Sequence, residues 1–140
     1  MLAPKSPSDW TYHGYSLGHD VDDEPFRIDV VTTQLDGPPD RREHLRSLSR
    51  EGGPFNWGYE GGGPHNAANA MLADALELDE APPELVLCYC ADVVSQLRSP
   101  WRLRRGAVLR YARGWFAEQG SQAMPAALRQ IPPALPTWDD

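Results

Sequence analysis

The sequence predicts an α+β domain: a small antiparallel sheet of about three strands packed against about three helices. Three observations predict it. Apolar residues alternate with polar ones near residues 10–15 and 26–33, as in half-buried strands. From Ala67 to Leu76 the apolar residues recur at helical spacing instead. Strand patterns precede helix patterns along the chain, so a run of βαβ units is not indicated.

The elements follow in order. Residues 1–9 contain Pro4, Ser6, Pro7 and Ser8 without apolar periodicity and read as a loose tail. Trp10 to Tyr15 is rich in β-favouring aromatics, broken by Gly14. Residues 17–25 are acidic and turn-like. In 26–33, Phe26, Ile28 and Val30 oppose Arg27 and Asp29, the pattern of a strand with one wet face. Asp36 to Asp40 is a turn. Residues 41–50 fit either a short helix, through Leu45 and Leu48, or an extended edge. After a second turn at 51–54, Phe55, Trp57 and Tyr59 alternate and predict a short third strand with all three on one face.

Gly61-Gly62-Gly63-Pro64 opens the clearest helix, with proline in the first turn, where its missing N–H is not needed. Ala67, Ala68, Met71, Leu72, Ala75 and Leu76 form its apolar stripe, and so many alanines predict close packing against a sheet. Glu77, Asp79 and Glu80 follow at the end where the helix dipole disfavours acids. Pro82 and Pro83 introduce a second helix over 84–97, with Val86, Tyr89, Cys90, Val93 and Leu97 inward. Ser99-Pro100 breaks the chain. A third helix is expected from Leu103 to Gln119, burying Val108, Leu109, Ala112, Trp115 and Phe116, with Arg102, Arg105, Leu109 and Arg113 projecting near one another. Gly120 is a stop. The domain therefore runs 10–119, followed by a Pro-rich tail at 120–140 with one turn of helix near 126–130.

The chain has 140 residues, 13 basic and 20 acidic side chains, and a formal charge of −7. Twelve glycines and 14 prolines imply many turns and loops. The charge is uneven. Six arginines (Arg98, Arg102, Arg104, Arg105, Arg110, Arg113) fall within 98–113 without an acid, and four acids fall within 20–24. Such asymmetry steers charged partners. No apolar run approaches the roughly 20 residues of a membrane span, and no secretion signal opens the chain. Cys88 and Cys90 point about 200° apart on a helix, so they read as unpaired, core-packed thiols of a cytoplasmic protein. His13, His19, His44 and His65 lack metal-ligand spacing, so no metal and no cofactor is expected.

Phe55-Asn56-Trp57-Gly58-Tyr59-Glu60-Gly61-Gly62-Gly63-Pro64 is the distinctive block. It resembles an uncharacterised family of small bacterial and phage-associated domains sharing aromatic-x-Trp-Gly-Tyr-x-Gly-x-Gly-Pro. Trp10-Thr11-Tyr12-His13-Gly14 is similar to that family's opening strand, and Trp101-Arg102-Leu103 to a later feature. The resemblance implies a fold unit and no mechanism. It also exposes a departure: the family's usual Ser or Thr cap is replaced by Arg104. Two arginines then stand at a helix start, the wrong end for cations. Either that helix begins elsewhere or Arg104 and Arg105 have an acidic partner.

The glycine corner suggests a weak ligand or partner site at Trp57, Tyr59, Gly61, Gly62, Gly63, His65 and Asn66, because glycines before a helix bring N–H groups near an anion. The same glycines equally serve close packing. With no catalytic set assembled, the chain reads as a non-enzymatic accessory or interaction domain of unknown partner, carried on mobile elements, its partner a protein. The alternatives are nucleic-acid binding through the Arg98–Arg113 stretch, an acidic mimic that occupies a basic partner, and a small enzyme with an anion site at Gly61–Asn66.

Overall fold

Trp10–Ser16 forms strand β1 and Phe26–Thr32 forms β2, paired antiparallel with Tyr12 opposite Val30 and Gly14 opposite Ile28. The computed structural model describes residues 10–17, 25–32, 41–48, 53–120 and 124–129. The expected tails at 1–9 and 130–140, the acidic run at 20–24 and the turn at 36–40 lie outside the described residues.

Residues 41–50 resolve as extended at Arg41–His44, strand β3, which pairs with β2. The Leu45 N–H continues that pairing to the Ile28 carbonyl at 2.8 Å. The fourth strand, β4, is Trp101–Arg104 and pairs with β1, giving the order β3-β2-β1-β4. The sheet thus has one strand more than expected, and its membership differs. Residues 55–59 form no strand. Phe55 and Trp57 are buried, but Gly58 has φ +89° and donates its N–H to the Val94 carbonyl, which turns the chain and leaves Tyr59 half-exposed. The alternation there records burial, not pairing.

Gly62–Leu76 is helix α1. Pro83–Asp92 is α2, followed by a 3-10 turn at Val94–Gln96. The second helix is therefore shorter than expected, and Val94 rather than Val93 is the fully buried residue near its end. Arg105–Glu118 is α3, and Ala126–Arg129 is a short α4 that buries Ala127 and Leu128. The third helix starts two residues later than expected because Trp101 and Leu103 are spent on β4. Arg102 consequently belongs to a strand, so the expected grouping of Arg102, Arg105 and Arg113 on one helix does not form.

α1 is the hub. Nine of its residues are buried, from Pro64 to Leu76, and it neighbours α2, α3 and α4. Its alanines admit other helices, where the sequence suggested a sheet. The sheet reaches it through Tyr12, whose hydroxyl donates to Asp74 Oδ2 at 2.6 Å. The core joins Tyr12, Ile28 and Trp101 from the sheet to Met71, Leu85, Leu109 and Phe116 from the helices. Cys90 is buried there, whereas Cys88 is exposed, so only one of the two cysteines packs in the core.

Candidate functional site

The glycine corner is closely packed around Trp57 and Gly63. Trp57 is buried, donates its indole N–H to Ser99 Oγ at 2.7 Å, and meets Phe26 and Trp101 edge-on at centroid distances of 5.0 and 5.2 Å. The Tyr59 ring lies over Gly61, where an added Cβ would stand 2.7 Å from Cε2. A Cβ on Gly63 would stand 2.6 Å from Asn56 Cβ, so the corner closes only with glycine at that position. Gly62 faces open space. Asn66 Nδ2 donates to the Pro54 carbonyl at 3.1 Å, tying the first turn of α1 to the chain before it. A cavity of about 410 Å³ does open beside Gly61, Gly62, His65 and Asn66, but Glu60 and Leu87 also line it. The Cys90 thiol also lines it; burial pushes that thiol's titration up and the Glu60 carboxylate adds to the rise, with the Gly61 backbone opposing. A carboxylate at the mouth repels anions.

The six arginines of 98–113 are dispersed. Arg98 is exposed before β4, and Arg110 and Arg113 lie half-buried on α3. Arg105 is buried at 2% exposure. Its Nε donates to the Ala75 carbonyl at 2.9 Å, an Nη donates to Glu77 Oε2 at 3.2 Å, and its guanidinium lies 4.1 Å from the Trp10 ring centroid. The acidic partner required by a cation at a helix start therefore exists. The charge rests at the C-terminal end of α1, where a cation is favoured.

Arg102 and Arg104 are exposed on the same strand, and they lead to a surface that the sequence did not single out. Strand residues alternate between faces. Tyr12, Ile28, Trp101 and Leu103 face the helices, so Thr11, His13, Tyr15, Arg27, Asp29, Val31, Arg42, His44, Arg102 and Arg104 face away. Val31 is buried yet outside the core cluster, as expected of that side. No described helix packs there. The register sets His44, Asp29, His13 and Arg102 side by side, one from each strand, across the whole sheet.

Asp29 anchors this row. It is 2% exposed although it points away from the core. Its Oδ2 accepts from Arg42 Nε at 2.5 Å, and its Oδ1 accepts from His44 Nδ1 at 2.5 Å and from the Tyr15 hydroxyl at 3.3 Å. Burial alone would raise its carboxyl, but the Arg42 and His44 hydrogen bonds outweigh it and hold the group below the ordinary carboxylate value. The bond to Nδ1 sets the His44 tautomer and leaves Nε2 facing outward on a side chain that is 60% exposed. His13 titrates below the ordinary imidazole value, first through partial burial, then through the cations of Arg102 and Arg42, with Asp29 opposing. Such a surface groups guanidinium side chains and two imidazoles around one engaged carboxylate.

The signal for this face lay in the alternation of residues 10–15 and 26–33, which already places His13, Arg27 and Asp29 on the wet side. The register that aligns them with His44 and Arg102 was not visible.

Fold and surface together define a class: a small α+β domain whose four-stranded antiparallel sheet is covered by helices on one side and presents polar groups, four arginines among them, on the other. The chain belongs to a family of unknown function, DUF6166, whose model matches residues 24–114. That span contains the 55–64 block and Trp101–Leu103 but begins after β1, so the resemblance of residues 10–14 lies outside it. No similar chain was found among curated proteins or among solved structures. Among the described residues no helix is long and apolar enough to cross a membrane.

Proposed function

We propose that this chain is a non-enzymatic interaction domain that holds an anionic partner on the open face of its sheet. The carrying observation is the cross-strand row His44–Asp29–His13–Arg102, flanked by Arg42 and Arg104. The single carboxylate in the row is already engaged by Arg42 and His44, so it offers an incoming anion little repulsion. Arg102 and Arg104 project from an edge strand into solvent, free of the desolvation that immobilises Arg105. The glycine corner supports this reading from behind: Trp57 wedges between Phe26 and Trp101 and so holds the start of β2 against β4's first residue. The likeness of residues 55–64 to phage-associated domains adds carriage on mobile elements to the reading.

Heparin, a polyanion without bases, tests the surface itself. Amide chemical shifts followed during a titration are expected to move in 11–15, 27–31, 42–44 and 102–104. Shifts confined to α2, α3 or the glycine corner, or no shifts at low salt, would overturn the proposal.

A further inference from the structure

The geometry points to single-stranded nucleic acid as the partner of this face. The inference rests on the sheet-face reading above and adds the chemical class of the ligand.

Three observations carry it. First, among the described residues the face offers cations without an apolar anchor. Interfaces between proteins concentrate their energy in buried aromatic and aliphatic residues. Among the described residues the exposed large apolar ones, Leu48, Tyr59, Leu78 and Leu87, all lie off the face, and Val31 is buried at 8% exposure. The aromatic residue on the face, Tyr15, has its hydroxyl tied to Asp29. A polar, cationic, anchor-free surface is what a phosphodiester backbone binds.

Second, the cations are arginines spread over three strands: Arg27 on β2, Arg42 on β3, and Arg102 and Arg104 on β4. Arg102 and Arg104 are two residues apart on one face, about 6.8 Å by strand rise. The set forms a track, not a pocket for one carboxylate. Guanidinium groups pair with phosphate oxygens two at a time.

Third, the track runs into a cleft. A cavity of about 420 Å³ opens where β3 ends and β2 continues without a partner on that side. Phe26 and Phe55 give it apolar walls, and Arg27 and Arg46, beside His44, give it a cationic rim. Arg27 and His44 belong to both the face and the cleft. An unstacked base entering between aromatic walls, with its phosphates on arginines, matches the way single strands are bound. A duplex keeps its bases stacked and has nothing to place there.

The test measures fluorescence anisotropy of a short labelled oligothymidylate, its duplex with oligoadenylate, and labelled polyglutamate, against the full chain. Four arginine contacts predict that the single strand loses about 50-fold in affinity between about 50 and 200 mM salt, a log–log slope near 3. The double variant R102E/R104E, at two exposed positions, is expected to halve that slope and weaken binding at least 10-fold. R46E on the cleft rim should weaken the single strand more than the duplex. R129E on α4 should change neither, and circular dichroism should be unaltered in all three variants. Unchanged binding by R102E/R104E overturns the inference, as does a duplex bound as tightly as the single strand. Polyglutamate binding with the oligonucleotide inert overturns the nucleic-acid assignment while the sheet-face reading stands. Failure of heparin and all three probes brings down both.

Discussion

The guanidinium of Arg105 is attached to the first residue of α3 yet serves the last turn of α1 and the Trp10 ring. Replacing it by methionine keeps much of the packing but strands the Ala75 carbonyl and the Glu77 carboxylate. R105M is expected to lower unfolding free energy by about 2–3 kcal/mol in urea titrations. Glu77 is 67% exposed, so E77Q should cost well under about 1 kcal/mol. Gly14 is a second position where one atom matters: a Cβ there would stand 2.0 Å from Trp101 Cε2, inside the indole. G14A is expected to cost about 3 kcal/mol or to displace β4, visible as loss of amide protection at 101–104. Asp29 and His13 set the acid limb of stability. Both titrate lower in the fold than their ordinary values of 3.8 and 6.5, so both contribute stability above those values and lose it below them. Stability should therefore sag first as pH falls through about 6.5 and again below about 4, and D29N should abolish the second drop.

At the level of elements, the closest match between pattern and structure is α1. Its periodic alanines and leucines describe a helix whatever surrounds it, and its burial on most sides follows from neighbours on several faces. The 55–59 segment shows the opposite case. Alternating aromatics resemble a strand, but Trp57 turns inward to fill the gap between Phe26 and Trp101. W57A should then cost about 4 kcal/mol and loosen β2 and β4 together, checked by hydrogen exchange on both strands. Strand β4 carried a legible sign, Trp101 and Leu103 alternating with Arg102 and Arg104. Four residues are too few for that alternation to stand against the adjoining helix pattern, so the strand was absorbed into α3.

Among the described residues, charge is sorted by side. The exposed face of the sheet bears Arg27, Arg42, Arg102 and Arg104, while Glu77, Asp79, Glu80 and Glu84 gather around the connection from α1 to α2. An acidic chain thereby acquires a cationic surface, which orients anionic partners as they approach. That surface should tighten its grip as pH falls below about 6.5, because His13, held below the ordinary imidazole value of 6.5, then gains charge beside Asp29 and Arg102. Anisotropy measured across that range should show the rise in wild type and a flat profile in H13Q.

The types of most elements, the stop of the third helix near Gly120 and the absence of a membrane-length apolar run were legible from neighbouring residues, because period and turn chemistry are local properties of the chain. The open face was not. It depends on strands from 10–16, 26–32, 41–44 and 101–104 meeting in one register, and a slip of one residue would send Asp29 and His13 to the core. The burial of Arg105, likewise, needed residues 10, 75 and 77 to converge on it. Long-range packing made those choices, since the favourable free energy of the pairing arises only after distant segments have come together.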